Sequence, residues 1–189
     1  MKSVMQHPVV FLDKYLDSDL CDFIVKEGKK LEVSEGAVYE KKTSNKHQDD
    51  SIRKAHTAFF EKGHWIESIV ASALHSINQT TWQARLTSSE NIQFGIYGQG
   101  EFYNEHRDID LATPINRKLS ITVQLTDPNY YKGGDFVLWT LEGKEIRKDE
   151  WRNKGSILVF PSFLKHKVEK VTKGTRMSLV QWYAGPEWS

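Results

Sequence analysis

Two places in the chain carry a histidine followed two residues later by an aspartate: His47 and Asp49 in NKHQDD, and His106 and Asp108 in YNEHRDID. An imidazole nitrogen and a carboxylate oxygen both bind divalent transition metals, and on an extended strand residues i and i+2 share a face. Context has to separate the two. NKHQDD sits inside a polar stretch, roughly Val33 to His56, with no apolar periodicity on either side and with Lys46 competing for the carboxylates. An unpinned loop cannot hold ligands to metal tolerances, so His47 is expected to be solvated loop.

YNEHRDID has more around it. NIQFGIY reads as a strand ending at Tyr97, Gly98 and Gly100 suit a turn, and the returning strand would carry His106 and Asp108 on one face. Such a pair fills two corners of the His-His-carboxylate facial set that binds Fe(II) and leaves other positions open. The third corner calls for a downstream histidine, and His166, directly after GSILVFPSF, is the one that follows. A satisfied core histidine is the competing reading of His166. Ten residues further, Arg176 stands on the strand TRMSLVQW with Ser178 on the same face. A buried arginine needs an anion, either an internal Asp or Glu or the far carboxylate of a diacid, which Ser178 and Gln124 could help to hold.

These residues need a rigid frame. After residue 90, KLSITVQL, GGDFVLW, GSILVFP, HKVEKV and TRMSLVQWY are short, β-branched or aromatic, and separated by Gly, Pro, Asn or Asp. That pattern predicts a barrel or double-sheet jelly roll. In LSITVQL, Ile121, Val123 and Leu125 alternate with Ser120, Thr122 and Gln124, so one face is polar. The polar face either meets solvent at an edge or lines an interior around a polar ligand. Upstream, DSDLCDFIVKEGKKLE predicts a helix capped by Asp17 or Ser18, with Leu20, Phe23, Ile24 and Leu31 near one face. GHWIESIVASALHSIN predicts a second through Trp65, Ile66, Ile69, Val70, Ala73, Leu74 and Ile77. Both helices would cover the outside of one sheet.

With 189 residues the chain suits one domain, read as helical support and a mobile loop over 1–90 and a β core over 91–183. Charge is balanced, 26 basic against 25 acidic residues, with no basic block that would demand nucleic acid or a lipid surface. A lone Cys21 and the lack of a long apolar run near the N-terminus suggest a soluble, cytoplasmic protein.

YGQGEFYNEHRD, RKLSITVQLTDPNYYKGGDF, GSILVFPSFLKHKVEKVTKGTR and the closing SLVQW, in this order, resemble the prolyl 4-hydroxylase-type branch of the Fe(II)/2-oxoglutarate dioxygenases. LTDPNYYKGGDF is similar to its bacterial and phage members, the prolyl/lysyl hydroxylase-domain proteins. The resemblance covers roughly Asn91 to Tyr183. It implies a double-stranded β-helix, a cupin-like jelly roll, with His106, Asp108 and His166 as iron ligands and Arg176 on the distal carboxylate of 2-oxoglutarate. Tyr97 falls where relatives contact that cosubstrate, and Gln124 replaces a tyrosine that some relatives use there. The implied cofactors are Fe(II), 2-oxoglutarate and O2, with ascorbate as an optional reductant. The implied reaction is hydroxylation of a C–H bond with release of succinate and CO2, on a prolyl residue of a protein or peptide or on a free amino acid or other small molecule. Arg53, Arg117 and Trp182 are candidate substrate contacts, with Trp139 and Tyr183 as further walls. Two other readings remain: a metal-binding jelly roll without activity, which leaves Arg176 without an anion, and a zinc hydrolase using Glu105 or Asp110 as base.

Overall fold

The computed structural model describes residues 7–36, 38–39, 46–47, 51–109 and 115–186. In chain order its first strands are β1 (Val10–Leu12), β2 (Ser34–Glu35), β3 (Val38–Tyr39), β4 (Lys46–His47), β5 (Arg53–Lys54) and β6 (His56–Phe59). Next come β7 (Ser88–Ser89), β8 (Gln93–Tyr97), β9 (Phe102–His106), β10 (Arg117–Gln124), β11 (Tyr131–Gly133) and β12 (Phe136–Trp139). The last are β13 (Glu145–Ile146), β14 (Ile157–Pro161), β15 (His166–Val168), β16 (Val171–Gly174) and β17 (Arg176–Ala184). Helix α1 spans Ser18–Gly28 and α2 spans Trp65–Thr80.

The strands form a major sheet ordered β1-β14-β10-β17-β8-β6-β2, with β7 beside β17, and a minor sheet ordered β13-β12-β15-β9-β5. All pairings in the two sheets are antiparallel. This is the jelly-roll arrangement that the strand pattern predicts. The outer face of the major sheet carries Leu119, Ile121, Val123, Ile157, Val159 and Leu179, which pack with Ile24, Ile66, Val70, Leu74 and Ile77 of the helices. A second core of Phe136, Leu138, Leu158, Phe160 and Val168 lies between the sheets. Strand β14 shows the period of two directly: Ile157 and Val159 go to the helices, Leu158 and Phe160 to the interior.

Strand β10 behaves the same way, so its polar face turns inward. Ser120, Thr122 and Gln124 are all buried, so this face does not meet bulk solvent. Asp17 caps α1 by accepting from the Asp19 amide, as its position predicts. Phe23 departs from expectation: it is 48% exposed and stacks on Trp65, itself 38% exposed, at 5.5 Å between ring centroids. Each ring shields part of the other, a use of aromatic surface that helical periodicity does not distinguish from core burial. The described part of the polar stretch carries short strands. It supplies β2 to the edge of the major sheet and β5 to the edge of the minor sheet. His47 lies on the two-residue β4, while Asp49 lies outside the described residues. So does half of IDLATPINRK, from Asp110 to Pro114.

Candidate active site

Antiparallel pairing of β9 with β15 sets His106 directly opposite His166, so the two imidazoles leave the minor sheet on one face. Their ring centroids are 4.2 Å apart. The chain leaves β9 and turns over the end of the major sheet, where the Asp108 amide donates to the Ser162 carbonyl at 2.9 Å. Asp108 Oδ1 then lies 3.7 Å from His106 Nε2, and Oδ2 lies 3.4 Å from His166 Nε2. Ligand atoms of the three side chains all fall within 4.8 Å of one another, the one such group among the described residues.

The donor set fits a metal ion. His106 Nδ1 lies 2.8 Å from the Asn104 carbonyl and His166 Nδ1 lies 3.0 Å from the Leu164 carbonyl. A carbonyl only accepts, so each Nδ1 carries the hydrogen and each Nε2 presents its lone pair to the centre. Burial, with His166 alongside, pushes the His106 pKa down to about 3, against the pull of Asp108. The imidazole is therefore neutral and able to ligate at physiological pH. Burial raises the Asp108 carboxyl, but the facing His166, His106 and the Ser120 hydroxyl outweigh it and hold the group well below the usual carboxylate range. Two inward lone pairs and an ionised carboxylate, buried together, are what a divalent ion satisfies.

A cavity of about 730 Å³ opens over this group between the sheets. His106 and His166 form one wall, and Tyr97, Thr122, Arg176 and Ser178 lie on the major-sheet side. Arg176 is 4% exposed; its Nη1 donates to Ser178 Oγ at 3.3 Å, and its guanidinium stands 5.6 Å over the Tyr97 ring. Among the described residues no carboxylate pairs with Arg176. The internal-anion reading of Arg176 thus finds no support. Tyr103 stacks on His106 at 3.5 Å and 11°, with the Arg53 guanidinium 4.7 Å from its ring.

Several expected contacts need correction. Gln124 does not reach the cavity wall: its amide donates to the Thr126 carbonyl at 3.1 Å and the Tyr131 hydroxyl at 3.2 Å. Arg117 lines the cavity, but its guanidinium is committed. It donates to both Glu90 oxygens, at 2.5 and 2.7 Å, and to the Asp108 carbonyl at 3.1 Å, while stacking 4.1 Å over Trp182. Trp182 lines the cavity, whereas Tyr183 packs on the helix side and Trp139 lies under Lys165 at 4.4 Å. Arg53, a candidate substrate contact, is buried and does face the cavity, donating to Gln93 Oε1 at 3.4 Å. Glu105 pairs with Lys165 at 2.7 Å, and Asp110 lies outside the described residues. The sequence marked Ser120 only as part of a polar strand face and did not single out Ser162; the two bond beneath Asp108.

Residues 92–184 match the family described as the 2OG-Fe(II) oxygenase superfamily, and the matched span contains His106, Asp108, His166 and Arg176. The chain belongs to that superfamily. Within it the chain is similar to a PKHD-type hydroxylase of Idiomarina loihiensis, 34% identical over 87 residues, which are 46% of this chain and 38% of that protein. It is also similar to one of Rippkaea orientalis, 30% identical over 115 residues, 61% of this chain and 45% of that protein. The chain spans about half the length of such relatives or less. The fold matches a Pseudomonas putida prolyl-4-hydroxylase with TM-score 0.76 at 19% identity, covering 98% of this chain and 97% of that one. It also matches a Trichoplax adhaerens prolyl hydroxylase solved with a hypoxia inducible factor peptide, with TM-score 0.78 at 18% identity over 97% and 86% of the two chains. The superfamily's double-stranded β-helix is the fold seen here. Among the described residues no helix is long and apolar enough to cross a membrane.

Proposed function

We propose that this chain is an Fe(II)- and 2-oxoglutarate-dependent hydroxylase that acts on a prolyl residue of a protein or peptide and releases succinate and CO2. The observation that carries the reading is the buried, carboxylate-free Arg176 at the side of a cavity whose other wall holds two histidines and an aspartate. A diacid is the ligand that answers both, one end on the metal and the other on the guanidinium. His106, Asp108 and His166 would hold the iron, which when bound supplies activation of dioxygen and of the 2-oxo acid at its open positions. Arg176 and Ser178 orient the cosubstrate, the Tyr97 ring flanks the guanidinium, and Phe136 and Phe160 exclude water behind His166. Ser34 and Glu35 on β2 and Ile52 just before β5 border the cavity beside the two sheet edges. That one structural relative is a prolyl hydroxylase solved with a peptide supports the same substrate class.

The test is anaerobic addition of Fe(II) and 2-oxoglutarate, followed by air and a pool of proline-containing peptides. A weak visible charge-transfer band, then succinate, then a one-oxygen mass gain on proline are expected in turn. No band and no succinate would overturn the oxygenase reading. Succinate with a mass gain only on a free amino acid would overturn the peptidyl substrate alone.

A further inference from the structure

Both carboxylate oxygens of Asp108 face the metal-ligating group, Oδ1 toward His106 Nε2 and Oδ2 toward His166 Nε2. Their surroundings differ on the other side. Ser120 Oγ lies 2.6 Å from Oδ2, and Ser162 Oγ lies 2.9 Å from Ser120 Oγ. Both serines are wholly buried, at 0% exposure. A carboxylate only accepts, so the single Ser120 proton is spent on Oδ2, and the bond between the serines must then run from Ser162 to Ser120. The relay has one polarity, and its end is the Asp108 carboxylate. The backbone of Asp108 is held as well: Ser162 accepts from its amide at 2.9 Å, and Arg117, braced on both Glu90 oxygens, donates to its carbonyl at 3.1 Å.

We infer that Ser120, with Ser162 behind it, is a positioning residue that reserves Oδ2 and makes Asp108 bind the metal through Oδ1 alone. The inference rests on the metal and cosubstrate reading above. Its consequence is a count of positions. Three single-atom protein ligands leave three places on a six-coordinate ion, two for a chelating 2-oxo acid and one for dioxygen. A carboxylate free to chelate through both oxygens would take one of them. Ser120 therefore protects cosubstrate binding more than it supports metal binding, and a hydroxyl that merely fills space under Asp108 would do neither.

The test uses the full chain with Mn(II), which is stable in air. Mn(II) affinity is read from the resonance of the free ion, and 2-oxoglutarate affinity by calorimetry at saturating Mn(II). In Ser120→Ala, Mn(II) binding is expected to be equal or tighter, while 2-oxoglutarate binding weakens by about tenfold or more, the scale typical of groups behind a ligand. Ser162→Ala should shift both in the same direction, and it decides the matter if Ser120→Ala does not fold. Unchanged 2-oxoglutarate affinity in a variant that binds Mn(II) would overturn the inference and leave the proposed function standing. So would a variant with weaker Mn(II) binding but normal 2-oxoglutarate affinity once saturated. A wild-type chain that binds no Mn(II) would overturn both.

Discussion

A histidine ligates only while its lone pair is free, and burial keeps His106 in that state. Its pKa of about 3 lies below the ordinary 6.5, so on acidification the unfolded chain takes up a proton that the folded chain refuses. Stability of the metal-free protein is therefore full above about 6.5 and falls as pH drops toward 3. Asp108, whose folded pKa is also depressed, adds a loss of the same sign below its ordinary 3.8. Urea unfolding in chelator between pH 7.5 and 4 should show this decline, and His106→Gln should flatten it; equal slopes in both proteins would refute the assignment. The ligand set itself makes a sharper contrast. His106→Ala should abolish tight metal binding, while His47→Ala, the look-alike on β4, should leave metal affinity unchanged. Arg176→Ala should keep the metal and weaken 2-oxoglutarate roughly tenfold to a hundredfold, the value of a lost charged hydrogen-bonding partner. The grouping of His106, Asp108 and His166 and the burial of Arg176 were legible in the sequence because these types are costly to bury without a purpose. Ser120 was not, since a serine on an alternating strand looks the same whether it meets water, a neighbour or a carboxylate. Arg117 was legible as a charge but not as a strut, because its partner Glu90 is 27 residues away.

Elements became legible to the extent that side chains, and not backbone pairing, define them. Strand β10 announced itself by alternation, and the structure adds which face is which: apolar toward the helices, polar toward the interior between the sheets. The edge strands β2 and β5 gave no such signal, because two residues paired through backbone groups need no apolar pattern. Turns sit between these cases. Gly155, at the entry to β14, has φ of +83°, and a Cβ there would stand 2.0 Å from the Leu16 carbonyl oxygen. Gly143 has nearly the same φ, +82°, with nothing within 4 Å of a Cβ. Gly143→Ala should thus cost only the backbone term, about 1–2 kcal/mol. Gly155→Ala should cost on the order of 3 kcal/mol, since β1 and the following turn must move as well. Thermal melts of the two variants measure the difference. Equal losses would mean that the close approach of residues 16 and 155 is not maintained in solution.

At the scale of the molecule, the proposed cofactors divide between the sheets. His106 and His166 stand on the minor sheet, whereas Arg176, Ser178 and Tyr97 stand on the major sheet. Ser120, on the major sheet, reaches Asp108 just past the end of β9, so one built-in polar contact already crosses the gap. A metal ion by itself draws together ligands that are already neighbours. A diacid held at one end by that metal and at the other by Arg176 spans the cavity and ties sheet to sheet. The two ligands should therefore stabilise in sequence. Mn(II) at about a hundred times its Kd should add about 2.7 kcal/mol, which for a chain of this size is roughly a 5–10 °C rise in Tm. 2-Oxoglutarate should add a second rise of similar size only when Mn(II) is present. Arg176→Ala should keep the first increment and lose most of the second, and His106→Ala should lose both. If 2-oxoglutarate stabilised the metal-free protein as strongly as the loaded one, its anchor would be the arginine alone, and the bridge between sheets would not exist.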